Sequence, residues 1–186
     1  MLSTTDAIIL SLQPQSDKAH VLHAYTRAGG RINYKVYGLG RKNSAEKYSP
    51  LSIVQLTTDE HSVRTAQLTF VPRTLTADPY KRTIALFLGE VLYHVLRHPM
   101  QDEPMYDFIV QAVQQLDETD EPQNFHLQFL VDFAAKLGFA MVEEPEEPHT
   151  RTQRQKTLRL LCDYFEQHVE TWQSPKSLDI LMEVFD

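Results

Sequence analysis

The sequence predicts an α+β protein of two domains, a five-stranded barrel followed by an all-helical domain. Two observations carry that reading. Through the first 71 residues apolar and polar side chains alternate in short runs broken by polar turns, the signature of half-buried strands. From Pro79 onward the apolar residues recur instead at three- and four-residue intervals, as on helices. The change of period near residue 75 sets the boundary, with domains at 1–77 and 78–186.

The first strands alternate through Ala7 to Leu12 and Val21 to Tyr25, and the Ala28-Gly29-Gly30 turn reverses the chain into a third that carries Ile32, Tyr34 and Val36 on one face. Arg31, Lys35 and Tyr37 occupy its other face. The polar stretch 41–50 then leads to strands expected at Leu51 to Thr57 and Arg64 to Val71. Five strands of this length suit an OB-fold, which closes on itself, hides most of its edges and buries one face of each strand. Ile8, Leu10, Ile32, Tyr34, Ile53 and Leu68 are the expected inward set, and a one-residue slip would exchange the two faces.

In the second domain, Asp78 before Pro79 is a helix start, N-cap followed by proline at the first helical position, and His98-Pro99 is a stop. Ile84, Phe87, Leu88, Val91, Leu92, Val95 and Leu96 form a broad apolar band, so this helix is expected at the centre of its domain. Further helices are expected at about Pro104 to Leu116, Pro122 to Leu137 with Gly138 ending it, Arg151 to Trp172, and Ser174 to Phe185. The acidic, proline-containing stretch Glu143 to Thr150 reads as a solvated linker.

The net charge of −7 is unevenly spread. Residues 1–77 hold 9 Lys and Arg against 5 Asp and Glu, and residues 78–186 hold 9 against 20, giving nets of +4 and −11. A basic first domain beside an acidic second one attracts phosphate to one side of the molecule. A single cysteine, Cys162, excludes an intramolecular disulfide and a thiolate-rich zinc cluster, which suits a reducing cytoplasm. No apolar run approaches the length of about 20 residues that a membrane helix needs, and no membrane association is expected.

The sharpest local signal is Gly38-Leu39-Gly40-Arg41-Lys42-Asn43-Ser44, with Lys47 beyond it. Glycines let backbone amides approach phosphate and the cations supply charge, but the spacing is not that of a nucleotide-binding P-loop. Arg27, Arg31, Lys35, Arg41, Lys42 and Lys47 are therefore the candidate phosphate contacts, with Tyr37 available to stack on a base. Alternation puts Tyr34 and Tyr37 on opposite faces, so one of them belongs to the core.

The order Asp6-Ala-Ile-Ile-Leu, Ser16-Asp-Lys, Tyr25-Thr-Arg-Ala-Gly-Gly-Arg-Ile, then Tyr37-Gly-Leu-Gly-Arg-Lys-Asn-Ser resembles the N-terminal domain of the bacterial RecO recombination mediators. Leu51-Ser-Ile-Val-Gln-Leu, Leu86-Phe-Leu-Gly-Glu-Val-Leu-Tyr, Phe125-His-Leu-Gln-Phe-Leu and Leu137-Gly-Phe extend the likeness over most of the chain. The resemblance implies a DNA repair and recombination mediator that binds single- and double-stranded DNA, anneals complementary strands and assists recombinase loading on strands coated by single-stranded-DNA-binding protein. It implies as partners the acidic, apolar-ended tail of that protein and a RecR-like protein. Lys81, Arg82, Arg97 and Lys136 are the cations available to such a tail. No enzymatic chemistry and no cofactor are implied. The chain departs from many RecO-like proteins in lacking their four-cysteine zinc site, and the segment after Gly138 is short for the family.

Other residues have plainer readings. His94 and His98 stand one helical turn apart, but no HExxH pattern or cysteine completes a metal site, so the dipole at the helix C-terminus explains them better. Glu90, inside an apolar helix, is expected to pair with a cation or backbone amide of a neighbour, and Cys162 to pack. The alternative function is an OB-fold plus helical adaptor that binds protein partners without DNA.

Overall fold

The computed structural model describes residues 1–39 and 46–184. Five strands, β1 (Leu2–Ser16), β2 (Ala19–Thr26), β3 (Gly30–Tyr37), β4 (Ile53–Asp59) and β5 (Ser62–Leu68), close in the order β1-β2-β3-β5-β4. Five α-helices follow: α1 (Pro79–Val95), α2 (Glu103–Glu118), α3 (Phe125–Lys136), α4 (Arg151–His168) and α5 (Leu178–Val184). The α+β layout read from the periodicities is the one observed.

The first strand makes the closure possible. Its first half pairs with β4 from Leu2 to Ile8, and its second half pairs with β2 from Ala7 to Ser16, with a register shift between Ile9 and Ser11. At the opposite side β3 meets β5 through a single parallel bridge, Lys35 to Ser62. A 3-10 turn at Glu46–Tyr48 contributes Tyr48 to the barrel core, and the Lys47 ammonium donates to the Ala66 carbonyl at 3.1 Å.

The expected inward set divides between two cores. Tyr34 lies inside the barrel with Ala7, Ile9, Leu22, Val36 and Leu56, and Ile32 and Leu68 pack against that cluster. Ile8, Leu10 and Ile53 point the other way, into a second core built mainly from the helices. Both faces of β1 are buried from Ala7 to Leu10 because the strand is sandwiched between the barrel interior and α1. Alternation read alone cannot report this, since a strand covered on both sides has no polar face.

Helix α1 is central, as its apolar band predicts. The Asp78 carboxylate caps it by accepting from the Tyr80 and Lys81 amides, and its C-terminal turn ends before Leu96. It crosses β1 at Gly89, where a Cβ would stand 3.1 Å from both the Leu10 carbonyl oxygen and the Pro50 Cβ. Glu90 accepts from the Ser177 amide at 3.0 Å and its hydroxyl at 2.7 Å, so it holds the approach to α5, a backbone-amide partner of the kind expected. The third helix starts at Phe125 after a 3-10 turn over Pro122–Asn124, α4 stops at His168 rather than Trp172, and α5 is confined to Leu178–Val184. Thr150 and Gln153 form a reciprocal capping box at the start of α4.

The segment joining barrel to helices is fastened by one carboxylate. Asp117, 5% exposed near the end of α2, accepts from the backbone amides of Arg73, Thr74 and Leu75 at 2.9, 2.8 and 2.7 Å. Beside it Lys81, 3% exposed, donates to the Thr74 hydroxyl at 2.6 Å and the Asp117 backbone oxygen at 2.8 Å.

Cys162 packs in the helical core, and burial raises its thiol to about 12. His126, 2% exposed, lies edge-on to Phe87; burial, with the Arg154 charge adding, pushes its imidazole down to about 3. Because the folded value lies below the ordinary one, acid protonates the unfolded chain first. The stabilisation is complete above about pH 6.5 and falls away as pH drops toward about 3. Between pH 7 and pH 5 urea unfolding should show a loss of about 2 kcal/mol from this group, and His126→Gln should flatten the profile over that window.

Candidate nucleic-acid interface

The barrel presents its β2–β3 ribbon outward, and the pairing register orders the side chains along it. Outward-facing cross-strand pairs run Tyr25–Arg31, His23–Asn33, Val21–Lys35 and Ala19–Tyr37, from the β2–β3 turn to the far end. The helices cover the first half of this row and leave the second half open.

In the covered half, Arg31 has a defined task. Its guanidinium donates to the Tyr93 carbonyl at 2.6 Å and the Leu96 carbonyl at 3.3 Å, lies 4.1 Å from the centre of the Tyr93 ring, and approaches His23 Nδ1 at 3.2 Å. A cation is thereby set on the carbonyl-rich C-terminus of α1, the negative end of its dipole. The Arg31 backbone amide also donates to the His98 carbonyl at 3.2 Å. His23 Nδ1 lies 2.7 Å from the Asn33 side-chain oxygen, and its ring meets Tyr93 edge-on at 4.8 Å. Burial lowers the His23 imidazole below its ordinary value, the Asn33 bond opposes that, and the Arg31 charge adds to the lowering. Tyr25, 3% exposed, belongs to the shared core, where burial followed by the Asp102 charge raises its phenol to about 12.

Arg27, at the turn, pairs with Asp107 of α2 at 2.7 Å and stacks 4.4 Å above the Tyr106 ring. Both arginines are thus engaged by the helices. In the sequence both stand among the candidate phosphate contacts, because an exposed-face position and a docking-face position look identical before the second layer is known.

In the open half, Lys35 and Tyr37 are exposed on the same face of β3, two residues and so about 7 Å apart along the strand. Tyr37 is 58% exposed and Tyr34 5%, which resolves the pair as alternation required. Lys47 is half-buried, with its ammonium on Ala66 and 5.8 Å from the Tyr48 ring centre. Arg41 and Lys42, with the rest of 40–45, lie outside the described residues.

Two neighbours of this half were not among the sequence candidates. Lys18 is exposed in the β1–β2 turn, next to the Ala19–Tyr37 pair, and His61 is exposed in the β4–β5 turn, its carbonyl accepting from the Lys35 amide at 2.7 Å. The signal that finds them is architectural, since an OB-fold brings these two turns to the ligand face. Arg64, nearby on β5, is held by Asp59 at 2.8 Å. The open surface therefore offers two ammonium groups, an imidazole and a phenol ring, suited to phosphate contact and base stacking.

Of the helical cations, Arg82, Arg97 and Lys136 are exposed, whereas Lys81 is consumed in the buried contact with Thr74 and Asp117. Arg97 donates to the His94 and Thr171 carbonyls at 3.2 and 3.5 Å. Among the described residues no cluster of His, Cys, Asp and Glu has metal-binding geometry, and no described helix is long and apolar enough to cross a membrane.

Residues 76–144, which contain α1 to α3, match the family described as Recombination protein O C terminal. The whole chain aligns with the DNA repair protein RecO of Phocaeicola vulgatus, 28% identical over 240 positions and covering 100% of both. It is likewise 28% identical over 232 positions to RecO of Flavobacterium johnsoniae, covering 97% of this chain and 98% of that protein. With RecO of Porphyromonas gingivalis the identity is 31% over 150 positions, 74% of this chain and 61% of the relative. Alignments longer than the 186 residues present contain positions that this chain lacks. With the closed barrel, the helices that follow it and likeness along the entire chain, the protein is similar from end to end to the RecO family of DNA repair proteins.

Proposed function

We propose that the protein is a recombination mediator that binds single- and double-stranded DNA through the open half of the β2–β3 ribbon. It anneals complementary strands and assists recombinase loading on strands coated by single-stranded-DNA-binding protein. The observation that carries this reading is the exposed Lys35–Tyr37 face, flanked by Lys18 and His61, on an OB-type barrel in a chain similar to a DNA repair family. Annealing requires no catalytic group. It requires that repulsion between two polyanions be lowered while their bases stay free to pair, which a small basic surface with limited stacking supplies.

The work belongs to the cytoplasm, and the recruiting partners are the acidic tail of single-stranded-DNA-binding protein and a RecR-like protein. Arg82 stands one turn before the exposed Leu86 on α1, and this cation beside an apolar side chain, with Arg97, suits an acidic tail with an apolar end.

Fluorescence anisotropy of a labelled single-stranded oligonucleotide against salt tests the reading. Neutralising about four phosphates should give a log-log slope of about −3. Lys35→Glu/Tyr37→Ala and Arg41→Glu/Lys42→Glu should each weaken binding and make the slope shallower. Absence of binding at low salt would favour the adaptor that engages proteins alone.

A further inference from the structure

The face between α2 and α3 is separate from the ribbon and has a polarity of its own. The two helices run antiparallel, with Phe108 of α2 near Lys136 of α3 at one end, the ammonium 5.8 Å from the ring centre. Between them lies a solvent-open groove of about 630 Å³. Its floor is aromatic and small, Phe108 stacked on Phe129 at 5.3 Å with Ala112 and Ala135 beside them, and its rim is rich in amides. Small residues in the floor allow a third helix to approach at the ordinary distance of about 8–10 Å.

The ends of the groove differ in charge. Lys136 marks one end, where Asp132, one turn before it in the lining, balances its charge. At the other, Thr119 and Phe125 are neighboured by exposed Glu118, Asp120 and Glu121, and a second cleft of about 320 Å³ that also uses Phe125 brings in Glu146 and Glu147. A helix laid in the groove has its positive dipole end and any N-terminal cations stabilised at the acidic end, while its carbonyl end meets Lys136 and Asp132, one charge of each sign.

We infer that the α2–α3 groove docks an amphipathic helix of a partner protein whose first turn carries lysine or arginine, lying parallel to α3. The lining of α2 from Phe108 to Thr119 spans about three turns, enough for apolar anchors at i, i+3 or i+4, and i+7. An acidic tail finds one cation in the lining, Lys136, with Asp132 beside it, and is repelled by the carboxylates at the far end. A second copy of the chain brings another net charge of −7.

The probe is a stapled three-turn helical peptide with leucines at those spacings and lysines in its first turn. It is titrated into the full chain beside an isomer whose lysines occupy the last turn, and beside an acidic peptide with an apolar end. The first peptide should bind at least about tenfold tighter than its isomer. Ala135→Trp, which fills the groove from an exposed position, and Glu118→Lys/Glu121→Lys should each weaken it about tenfold. Equal binding of the two isomers, tighter binding of the acidic peptide, indifference to Ala135→Trp, or no binding would overturn the inference. DNA anisotropy on the same preparations reads the ribbon separately, so either proposal can fail alone.

Discussion

Gly30→Val should destabilise the protein by about 4 kcal/mol or more, seen as a large drop in the urea midpoint and exposure of the surface where barrel and helices meet. Gly30 has φ of +64°, a conformation that a β-branched residue adopts only under strain. A Cβ there would also stand 2.3 Å from the Met100 carbonyl oxygen, 2.7 Å from the Met100 nitrogen and 2.8 Å from the His98 carbonyl oxygen. These are backbone atoms of the segment after α1, so the clash is relieved only by moving the helices off the barrel. Gly38 supplies the control. Its φ is +71°, yet no atom lies within 4 Å of the added Cβ, and Gly38→Ala should cost only about 1 kcal/mol. A comparable loss in both variants would show that conformational strain, rather than the approach of Met100, governs Gly30.

Asp117→Ala should cost about 3–5 kcal/mol, because it leaves three backbone amides without their acceptor and the buried Lys81 ammonium without its compensating charge. Burial works to raise this carboxyl. The amides of Arg73, Leu75 and Thr74, with the Lys81 charge, outweigh burial and hold it below the ordinary carboxylate range. A depressed folded value means that the stabilisation is present above the unfolded value, near pH 4, and is lost as pH falls through the folded one. The gap between wild type and Asp117→Ala in denaturant unfolding should therefore be widest near neutrality and narrow below about pH 4. A gap unchanged down to pH 2 would mean that the carboxylate charge contributes nothing beyond its shape.

Much of this architecture is legible in the chain because local signals agree with the fold. Asp78-Pro79 states where α1 begins, and the three N-terminal alternations state three strands. What the chain does not reveal is the identity of a strand's second neighbour. Ile8 and Tyr34 look equivalent as apolar strand residues, yet one packs on helices and the other fills the barrel. The same ambiguity governs the site. Arg31 and Lys35 stand on one face of one strand, four residues apart, and only the docking of α1 distinguishes an arginine that closes a helix from a lysine that meets solvent. Lys81 reads as a surface cation until Asp117, 36 residues away in sequence, is seen beside it.

The second core has a consequence for how the chain can be divided. Ile8, Leu10, Tyr25, Leu51 and Ile53 of the barrel part belong to the same buried cluster as Phe87, Leu88, Tyr106 and Phe133 of the helical part. A fragment ending at residue 77 would present those five side chains to water, and one beginning at residue 78 would uncover the underside of α1. The boundary separates two kinds of secondary structure, while the buried core extends across it, so heating should melt barrel and helices in one transition, with calorimetric and van't Hoff enthalpies in agreement.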